Sequence, residues 1–229
     1  LEKNHDVQLF DRKGKRLELN AKGKSLRKSA ESLLAHAEDF NRELLEHEKT
    51  GHLKIGASYT IANYHAVTHL AEYLDEFPEA EVEFVAGNSP DIVSAVLNYE
   101  VDLGMIESEI NHKALETIPW IDDELLIFCS SRHPLAQKEK ITTNDLINAR
   151  WVLREPDSGA RQTFEFAFQK LLPELDIYLE FKHNEAIKRA VESELGIGCL
   201  SESVLQSNFR DGTLVPVSYT HLTLPTKSS

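Results

Sequence analysis

Two short segments place polar side chains where a strand-like apolar run gives way to a helix-like pattern. Ser58 and Thr60 follow one such run, and Ser158 and Arg161 follow another. Free backbone N–H groups at a helix start, with hydroxyls and a guanidinium beside them, favour anion binding. In open α/β folds, ligands bind at the carboxyl ends of strands. The pattern predicts a small-anion site, although each hydroxyl could simply cap its helix and Arg161 could pair with Glu165.

Other residues with chemical potential give weaker signals. His65 and His69 lie four residues apart, but Ala66 stands where a zinc-protease motif has Glu, and no third metal ligand is apparent. Residues 196–198 supply half of a dinucleotide fingerprint and are better explained as a tight turn before a strand. The sequence contains no local signature of a catalytic triad. We therefore expect no metal, no cofactor and no enzymatic activity, with an enzyme working in the same cleft as the weaker alternative.

The composition is that of a globular protein. The chain has 229 residues, of which 41% are hydrophobic and 28% charged. At roughly 150 residues per domain, this length predicts one to two domains. The sequence has neither an apolar run of about 18 residues nor a signal-peptide pattern, so we expect a cytoplasmic protein. Cys129 and Cys199 each lie among apolar residues and are predicted to be buried thiols rather than a disulfide.

The net charge of −13 conceals an asymmetry. Residues 1–30 carry nine Lys and Arg against four Asp and Glu, a net charge of +5, which leaves −18 for the remainder. A basic arm joined to an acidic body is typical of a DNA contact followed by a regulatory domain. A solvated basic tail explains the charge equally well.

The first 50 residues predict a hairpin and a long helix. Two short strand-like runs flank a basic turn at Gly14, and Asn20 is a suitable N-cap for the helix that follows. Apolar residues recur in that helix at steps of three and four, as in a coiled-coil seam. The predicted dimerisation residues are Leu26, Ala30, Leu33, Ala37, Phe40 and Leu44. The alternative is a surface helix that docks on its own domain.

From residue 51 onwards the period changes. Strand-like and helix-like runs alternate at short spacing, which predicts βαβ units and largely parallel sheets. The pattern begins again after residues 132–134, so two successive α/β modules of under 90 residues each are expected. Two such modules form a bilobed body with a ligand-binding cleft between them.

Taken together, these segments resemble those of the LysR-type transcriptional regulators. Leu1-Glu2, residues 9–12, residues 17–20 and Gly23 are similar to the wing and the start of the linker in that family. The body carries motifs similar to those of the family's effector domain, in the same order: residues 53–60, 87–89, 101–104, 133–135, 158–161 and 196–201. Each motif alone is unspecific, but the ordered set is specific and covers residues 1 to about 217.

The resemblance implies an α/β, bilobed effector domain like that of periplasmic binding proteins, preceded by a winged-helix remnant and a long linker helix. The implied boundaries are a wing at 1–20, a linker and dimerisation helix at 21–50, and an effector domain at 51–217. Within that domain, lobe I spans about 51–128 and lobe II about 129–212. Both ends depart from the family pattern, since most of the helix-turn-helix and the end of lobe I are missing. Residues 218–229 are therefore expected to be a non-native tail.

The resemblance also implies a function. A small, anionic metabolite in the cleft would alter how a homodimer or homotetramer binds promoter DNA, with no membrane involved. The implied DNA contacts are Arg12, Lys13, Lys15 and Arg16. The implied effector contacts are Ser58, Thr60, Glu107, Ser158 and Arg161. The alternative is a periplasmic-type solute-binding module that does not bind DNA.

Overall fold

The computed structural model describes residues 1–14, 16–45, 52–108, 110–219 and 225–227. Within these ranges no helix is both long and apolar enough to cross a membrane. The helices are α1 Glu2–His5, α2 Ala21–Leu45, α3 Tyr59–Ile61, α4 Val67–Glu76, α5 Ser89–Leu97, α6 Thr143–Ile147, α7 Gly159–Ala167, α8 Asn184–Glu192 and α9 Glu202–Asp211. The strands are β1 Phe10–Lys13, β2 Arg16–Leu19, β3 His52–Ser58, β4 Glu81–Gly87, β5 Leu103–Met105, β6 Asp122–Ser130, β7 Arg150–Arg154, β8 Asp176–Phe181, β9 Ile197–Ser201, β10 Leu214–Pro216 and β11 Pro225–Lys227.

The predicted hairpin and linker helix are both present. Strands β1 and β2 pair antiparallel, and Gly14 adopts the positive φ of 65° that their turn requires. Asn20 caps α2, since its side-chain oxygen accepts a hydrogen bond from the Gly23 amide at 2.8 Å. A side chain at position 23 would collide with the Leu9 carbonyl, so glycine allows the helix to begin against the hairpin.

The first lobe is a three-stranded parallel sheet in the order β4-β3-β5. One helical stretch crosses it, made of α3, a π-helical turn at Ala62–Ala66 and α4, and helix α5 packs on the same sheet. Its buried apolar cluster is small: Ala57, Ile61, Ala62 and Ala66.

The second lobe contains a mixed sheet in the order β10-β6-β9-β7-β8. Strand β7 runs parallel to β8 and β9, and β6 runs antiparallel to β9 and β10. Its core is built around Trp151, which contacts the stacked rings of Phe164 and Phe168. Cys129 and Cys199 are buried and free, as predicted, and burial raises the pKa of their thiols to about 11 and about 12.

Three details differ from the sequence-based expectation. The whole of β6, from Asp122, belongs to the second sheet because its apolar residues pair with β9, so lobe I ends before residue 122 rather than near 128. Helix α7 ends at Ala167 instead of near residue 172, and the chain turns there through a 3-10 helix at Leu172–Glu174. Strand β11, inside the predicted non-native tail, pairs with the first residues of β6. Residues 46–50, the predicted end of the linker helix, and residues 220–224 and 228–229 lie outside the described residues.

The predicted turn at residues 196–198 is in part a strand. Gly198 lies inside β9, where an added Cβ would approach the Phe128 ring to 2.6 Å. The glycine at this position is thus a packing requirement of the central sheet, and no φ angle demands it.

This packing predicts that Gly198→Ala destabilises the protein. Overpacking of this kind costs about 1–3 kcal/mol, because Phe128 or the strand must shift. Urea denaturation measures the loss, and Gln206→Ala, an exposed position on α9, serves as a control expected to change stability by less than about 0.5 kcal/mol. An unchanged midpoint for Gly198→Ala would contradict the close Phe128 contact.

Candidate functional site

The cleft between the lobes is lined by the first residues of helices from both lobes. Ser58, Asn88, Ser158 and His183 are the cap residues of α3, α5, α7 and α8. Each of these helices follows a parallel strand, namely β3, β4, β7 and β8. The positive ends of several helix dipoles therefore face one space, which favours negative charge there.

All five residues predicted to contact an effector are buried beside this space. Ser58, Thr60, Glu107, Ser158 and Arg161 are each exposed by no more than 9%. Ser158 caps α7 by accepting a hydrogen bond from the Arg161 amide at 3.1 Å, the simpler of its two expected roles. Ser58 is also a cap residue by position, but its side chain makes no capping hydrogen bond.

Some of the polar atoms in the cleft have no partner. Ser58 Oγ, Asn88 Oδ1 and Ser89 Oγ are buried and make no hydrogen bond within the described part of the chain. A buried polar group left in this state costs about 1–3 kcal/mol. Sequence reasoning missed Asn88 and Ser89 as site residues, although their position at the end of a strand was a usable signal.

Glu107 lies between the two lobes in this cleft. A Cβ placed on Gly159, the first residue of α7, would lie 3.1 Å from Ser89 Oγ and 3.4 Å from Glu107 Oε2. Burial raises the pKa of Glu107, and the nearby charge of Asp123 raises it further. The Thr60 and Ser58 hydroxyls and the positive charge of Arg154 favour the ionised form, but burial has the larger effect.

Arg154 is a buried cation whose charge acts on Glu107. Its guanidinium binds both carboxylate oxygens of Glu155, at 2.9 and 3.1 Å, and donates from Nη1 to Asn184 Oδ1 at 2.9 Å. Asn184 Nδ2 in turn donates to Thr60 Oγ1 across the cleft at 3.2 Å. Neither Arg154 nor Asn184 was predicted as a site residue, because only the tertiary fold brings Asn184 to Thr60.

Arg161 is held by other groups. Its Nε donates to Glu165 at 2.7 Å, and its Nη1 donates to Glu180 at 2.6 Å and to the Arg154 carbonyl at 2.7 Å. The Glu165 pair is the alternative left open by the sequence. Direct contact between Arg161 and an effector stays a prediction, and the observed role of this side chain is to fix the end of β7 where Arg154 lies.

A pocket of about 260 Å³ lies next to Asn184. Aromatic and polar residues of both lobes line it: Tyr59, Asn63, Tyr64, His183, Asn184 and Glu185. The Tyr64 hydroxyl donates to Glu185 at 3.2 Å, and the Tyr59 and His183 rings meet edge to face. Burial and the Glu185 carboxylate raise the pKa of Tyr64 to about 12, so this hydroxyl stays a donor.

The predicted DNA contacts lie on the exposed hairpin. Arg12, Lys13 and Arg16 are exposed, and Lys13 forms an ion pair with Glu18 at 2.9 Å. Lys15 lies outside the described residues. A basic, exposed hairpin suits contact with phosphates, and the assignment of these residues to DNA stays a prediction.

The predicted dimerisation stripe is exposed on α2. Leu26, Leu33 and Phe40 are 44%, 71% and 61% exposed, Ala30 and Ala37 are also exposed, and the side chain of Leu44 lies outside the described part. Another face of the same helix touches lobe I, because Ser32 donates to the Asn98 carbonyl and the His36 ring packs against Tyr99. The helix thus docks on its own domain and still leaves the apolar stripe uncovered within the described residues.

The His65 and His69 pair forms no metal cluster with other described residues. Both rings pack near Trp120, with centroids 6.5 and 5.2 Å away, and His69 also contacts Glu72. This is a surface aromatic contact.

The raised pKa of Glu107 predicts a pH-dependent loss of stability. The folded protein holds this proton more tightly than the unfolded chain, so the stabilisation is complete below the unfolded pKa and is lost as pH rises through the folded pKa. Wild type should therefore lose stability relative to Glu107→Gln as the pH rises above the ordinary glutamate pKa of about 4.3. Urea denaturation at several pH values tests this, with the exposed Glu139→Gln as control. A difference that stays constant with pH would contradict the burial of Glu107.

Known proteins resemble this chain over most of its length. A family model described as the LysR substrate binding domain matches residues 46–228. The HTH-type transcriptional regulator YeiE of Escherichia coli (strain K12) is 39% identical over 218 residues, which cover 95% of this chain and 73% of YeiE. The HTH-type transcriptional regulator CysL of Bacillus subtilis (strain 168) is 30% identical over 210 residues, which cover 91% of this chain and 70% of CysL.

Solved structures agree with the sequence matches. The regulatory domain of Synechocystis PCC6803 CcmR, in complex with 2-PG, has a TM-score of 0.71 at 26% identity, over 78% of this chain and 86% of that chain. These relatives and neighbours support a transcriptional regulator with a bilobed effector domain over a solute-binding module without DNA binding. By sequence and by fold, this chain belongs to the LysR family of transcriptional regulators.

Proposed function

We propose that this regulator senses a small metabolite with an oxyanion group, bound in the interlobe cleft. The observation that carries the proposal is the set of buried atoms without partners, Ser58 Oγ, Asn88 Oδ1 and Ser89 Oγ, at the starts of helices. The Ser58 and Ser89 hydroxyls and the helix N-termini supply donors to an oxyanion, which would give these two hydroxyls the bonds they lack. Asn88 Oδ1 is an acceptor, so it favours a ligand that also carries a hydroxyl or amine hydrogen. Thr60, Ser158 and Arg161 complete the site, either by contacting the ligand or by holding the residues that contact it.

Glu107 restricts the ligand further. A buried carboxylate repels an anion, unless the carboxyl keeps its proton or the ligand presents a hydrogen to it. The effector therefore carries an oxyanion and also a hydroxyl or amine, or it binds together with a proton on Glu107. That the CcmR domain was solved with a small ligand, 2-PG, supports a ligand of small size here.

The remaining functions follow from the family and from the charges. Arg12, Lys13, Lys15 and Arg16 belong to the wing and contact phosphates of promoter DNA in the cytoplasm, supported by the exposed basic hairpin. The cleft serves binding and not catalysis, because the polar groups found there are suited to hold an anion. Helix α2 joins two copies of the chain through its apolar stripe, supported by the exposure of Leu33 and Phe40.

The ligand proposal predicts stabilisation by small oxyanions. Thermal shift with inorganic sulfate, inorganic phosphate and small hydroxy acids should identify a ligand, and at a hundred times its dissociation constant the gain is about 2.7 kcal/mol. Ser58→Ala and Ser89→Ala should each weaken that ligand at least about tenfold, which corresponds to one lost hydrogen bond to a charged group. Ser207→Ala, exposed on α9, is the matched control. If the Ser58 and Ser89 variants respond as wild type does, the site is elsewhere.

The oligomer proposal predicts that Leu33→Lys separates the copies. A charge in the middle of an apolar seam removes its burial and repels its symmetry mate. Sedimentation velocity should show a dimer or larger species for wild type and a monomer for Leu33→Lys. Arg27→Lys, on the same helix outside the stripe, should leave the assembly unchanged. A monomeric wild type would contradict the role of α2.

A further inference from the structure

Four buried residues form a line of polar contacts that crosses the cleft. Arg154 Nη1 donates to Asn184 Oδ1 at 2.9 Å, and Asn184 Nδ2 donates to Thr60 Oγ1 at 3.2 Å. Glu107 follows, since the Thr60 hydroxyl favours the ionised form of its carboxyl. Arg154 and Asn184 belong to the second lobe, whereas Thr60 and Glu107 belong to the first. The exposed fraction of each is between 2% and 9%, so water does not substitute freely for these bonds.

The chemistry of the groups fixes the direction of this line. A guanidinium has only donors, so the amide oxygen of Asn184 must face Arg154 and its NH₂ group must face Thr60. Thr60 Oγ1 then accepts from Asn184 and has its own hydrogen left for Glu107. Both hydrogen bonds thus point from the cation in the second lobe towards Glu107 in the first. Bonds arranged head to tail polarise and strengthen one another.

The Asn184 side chain joins the two lobes, because it accepts from Arg154 in its own lobe and donates to Thr60 in the other. The Nε and Nη2 atoms of Arg154 donate to the carboxylate of Glu155. The neighbouring interlobe contacts, Tyr59 with His183 and Tyr64 with Glu185, are more exposed and flank the buried amide. An Asp in place of Asn184 would still bind Arg154, but it would have no hydrogen for Thr60.

We propose that Asn184 is a positioning residue with two roles: it holds the two lobes closed, and it orients the Thr60 hydroxyl to donate into the effector site. The second role rests on the proposed function, and the first does not. A ligand oxyanion near Thr60 would accept the hydrogen of the Thr60 hydroxyl in place of Glu107. Because Asn184 directs this hydrogen into the site, ligand groups that accept a hydrogen bond are favoured there over groups that donate one.

Two variants separate the roles. In Asn184→Ala both bonds are lost, so the lobes open and the Thr60 hydroxyl is free to turn. In Asn184→Asp the carboxylate keeps Arg154 and accepts from Thr60, so the lobes stay joined but the Thr60 hydrogen now points away from the site. A residue that served only to fill space would give the same result in both.

Lobe closure is measured without ligand. Spin labels on cysteines introduced at the exposed positions Thr68 and Gln206, one in each lobe, report the interlobe distance by double electron–electron resonance. Asn184→Ala should lengthen and broaden the distance distribution, while Asn184→Asp should match wild type. Asn148→Ala, an exposed asparagine of lobe II, is the control. An Asn184→Ala distribution identical to wild type would overturn the first role.

The second role, orientation of the Thr60 hydroxyl towards the ligand, is tested by calorimetric titration with inorganic sulfate as the probe. Both Asn184 variants should bind sulfate at least about tenfold more weakly than wild type, although only one of them opens. Wild-type affinity in Asn184→Asp would overturn the second role. If wild type itself does not bind sulfate, the oxyanion proposal fails at that step, and the distances still decide whether Asn184 closes the lobes. Should Asn184→Ala not fold, Asn184→Asp still decides the second role, and Thr60→Val decides the first, because it removes the acceptor of the Asn184 amide and should lengthen the interlobe distance. An unchanged distance in Thr60→Val would then overturn lobe closure by Asn184.

Discussion

Polar groups buried between the two lobes must find hydrogen-bond partners, and this constraint determines how the molecule is arranged. Arg154 is buried with Glu155 and Asn184, Asn184 reaches Thr60, and Thr60 reaches Glu107. Removing one partner would leave a buried group unpaired, which costs more than the bond itself contributes. The lobes are therefore held at a distance that these short side chains can span. The helix starts that line the cleft are brought together by the same constraint.

Helix α5 connects the cleft to the linker helix. Helix α5 begins at Ser89 in the cleft and ends beside the turn at Asn98 and Tyr99. Ser32 and His36 of α2 form hydrogen bonds with the carbonyl oxygens of Asn98 and Tyr99 in this turn. Tyr99 adopts a positive φ of 57° there. A non-glycine residue in this conformation is strained and is held by its surroundings. Thus α5 touches the candidate sensor site at one end and the helix that carries the apolar stripe at the other.

The order of helices and strands was largely predictable, because alternation of apolar runs and turn residues encodes it locally. The α/β lobes, the hairpin and the capped linker helix are confirmed, while α9, β10 and β11 had no prediction. The positions of Ser58 and Ser158 at strand ends were also readable from local pattern. Asn184 was not, since its partner Thr60 is 124 positions away and no local signal links them. The inclusion of β6 in the second sheet was likewise not predictable, because it depends on pairing with β9, which is distant in the sequence.

The proposed sensing function depends on the binding of an oxyanion in the interlobe cleft by the hydroxyls that lack partners. A crystal structure of this chain with a saturating ligand from the oxyanion panel would show which side chains bind it. We expect an oxyanion that accepts hydrogen bonds from Ser58 at the start of α3, from Ser89 at the start of α5 and from the Thr60 hydroxyl. Ligand density at another surface, with Ser58 Oγ and Ser89 Oγ still without partners, would show that these hydroxyls do not form the site.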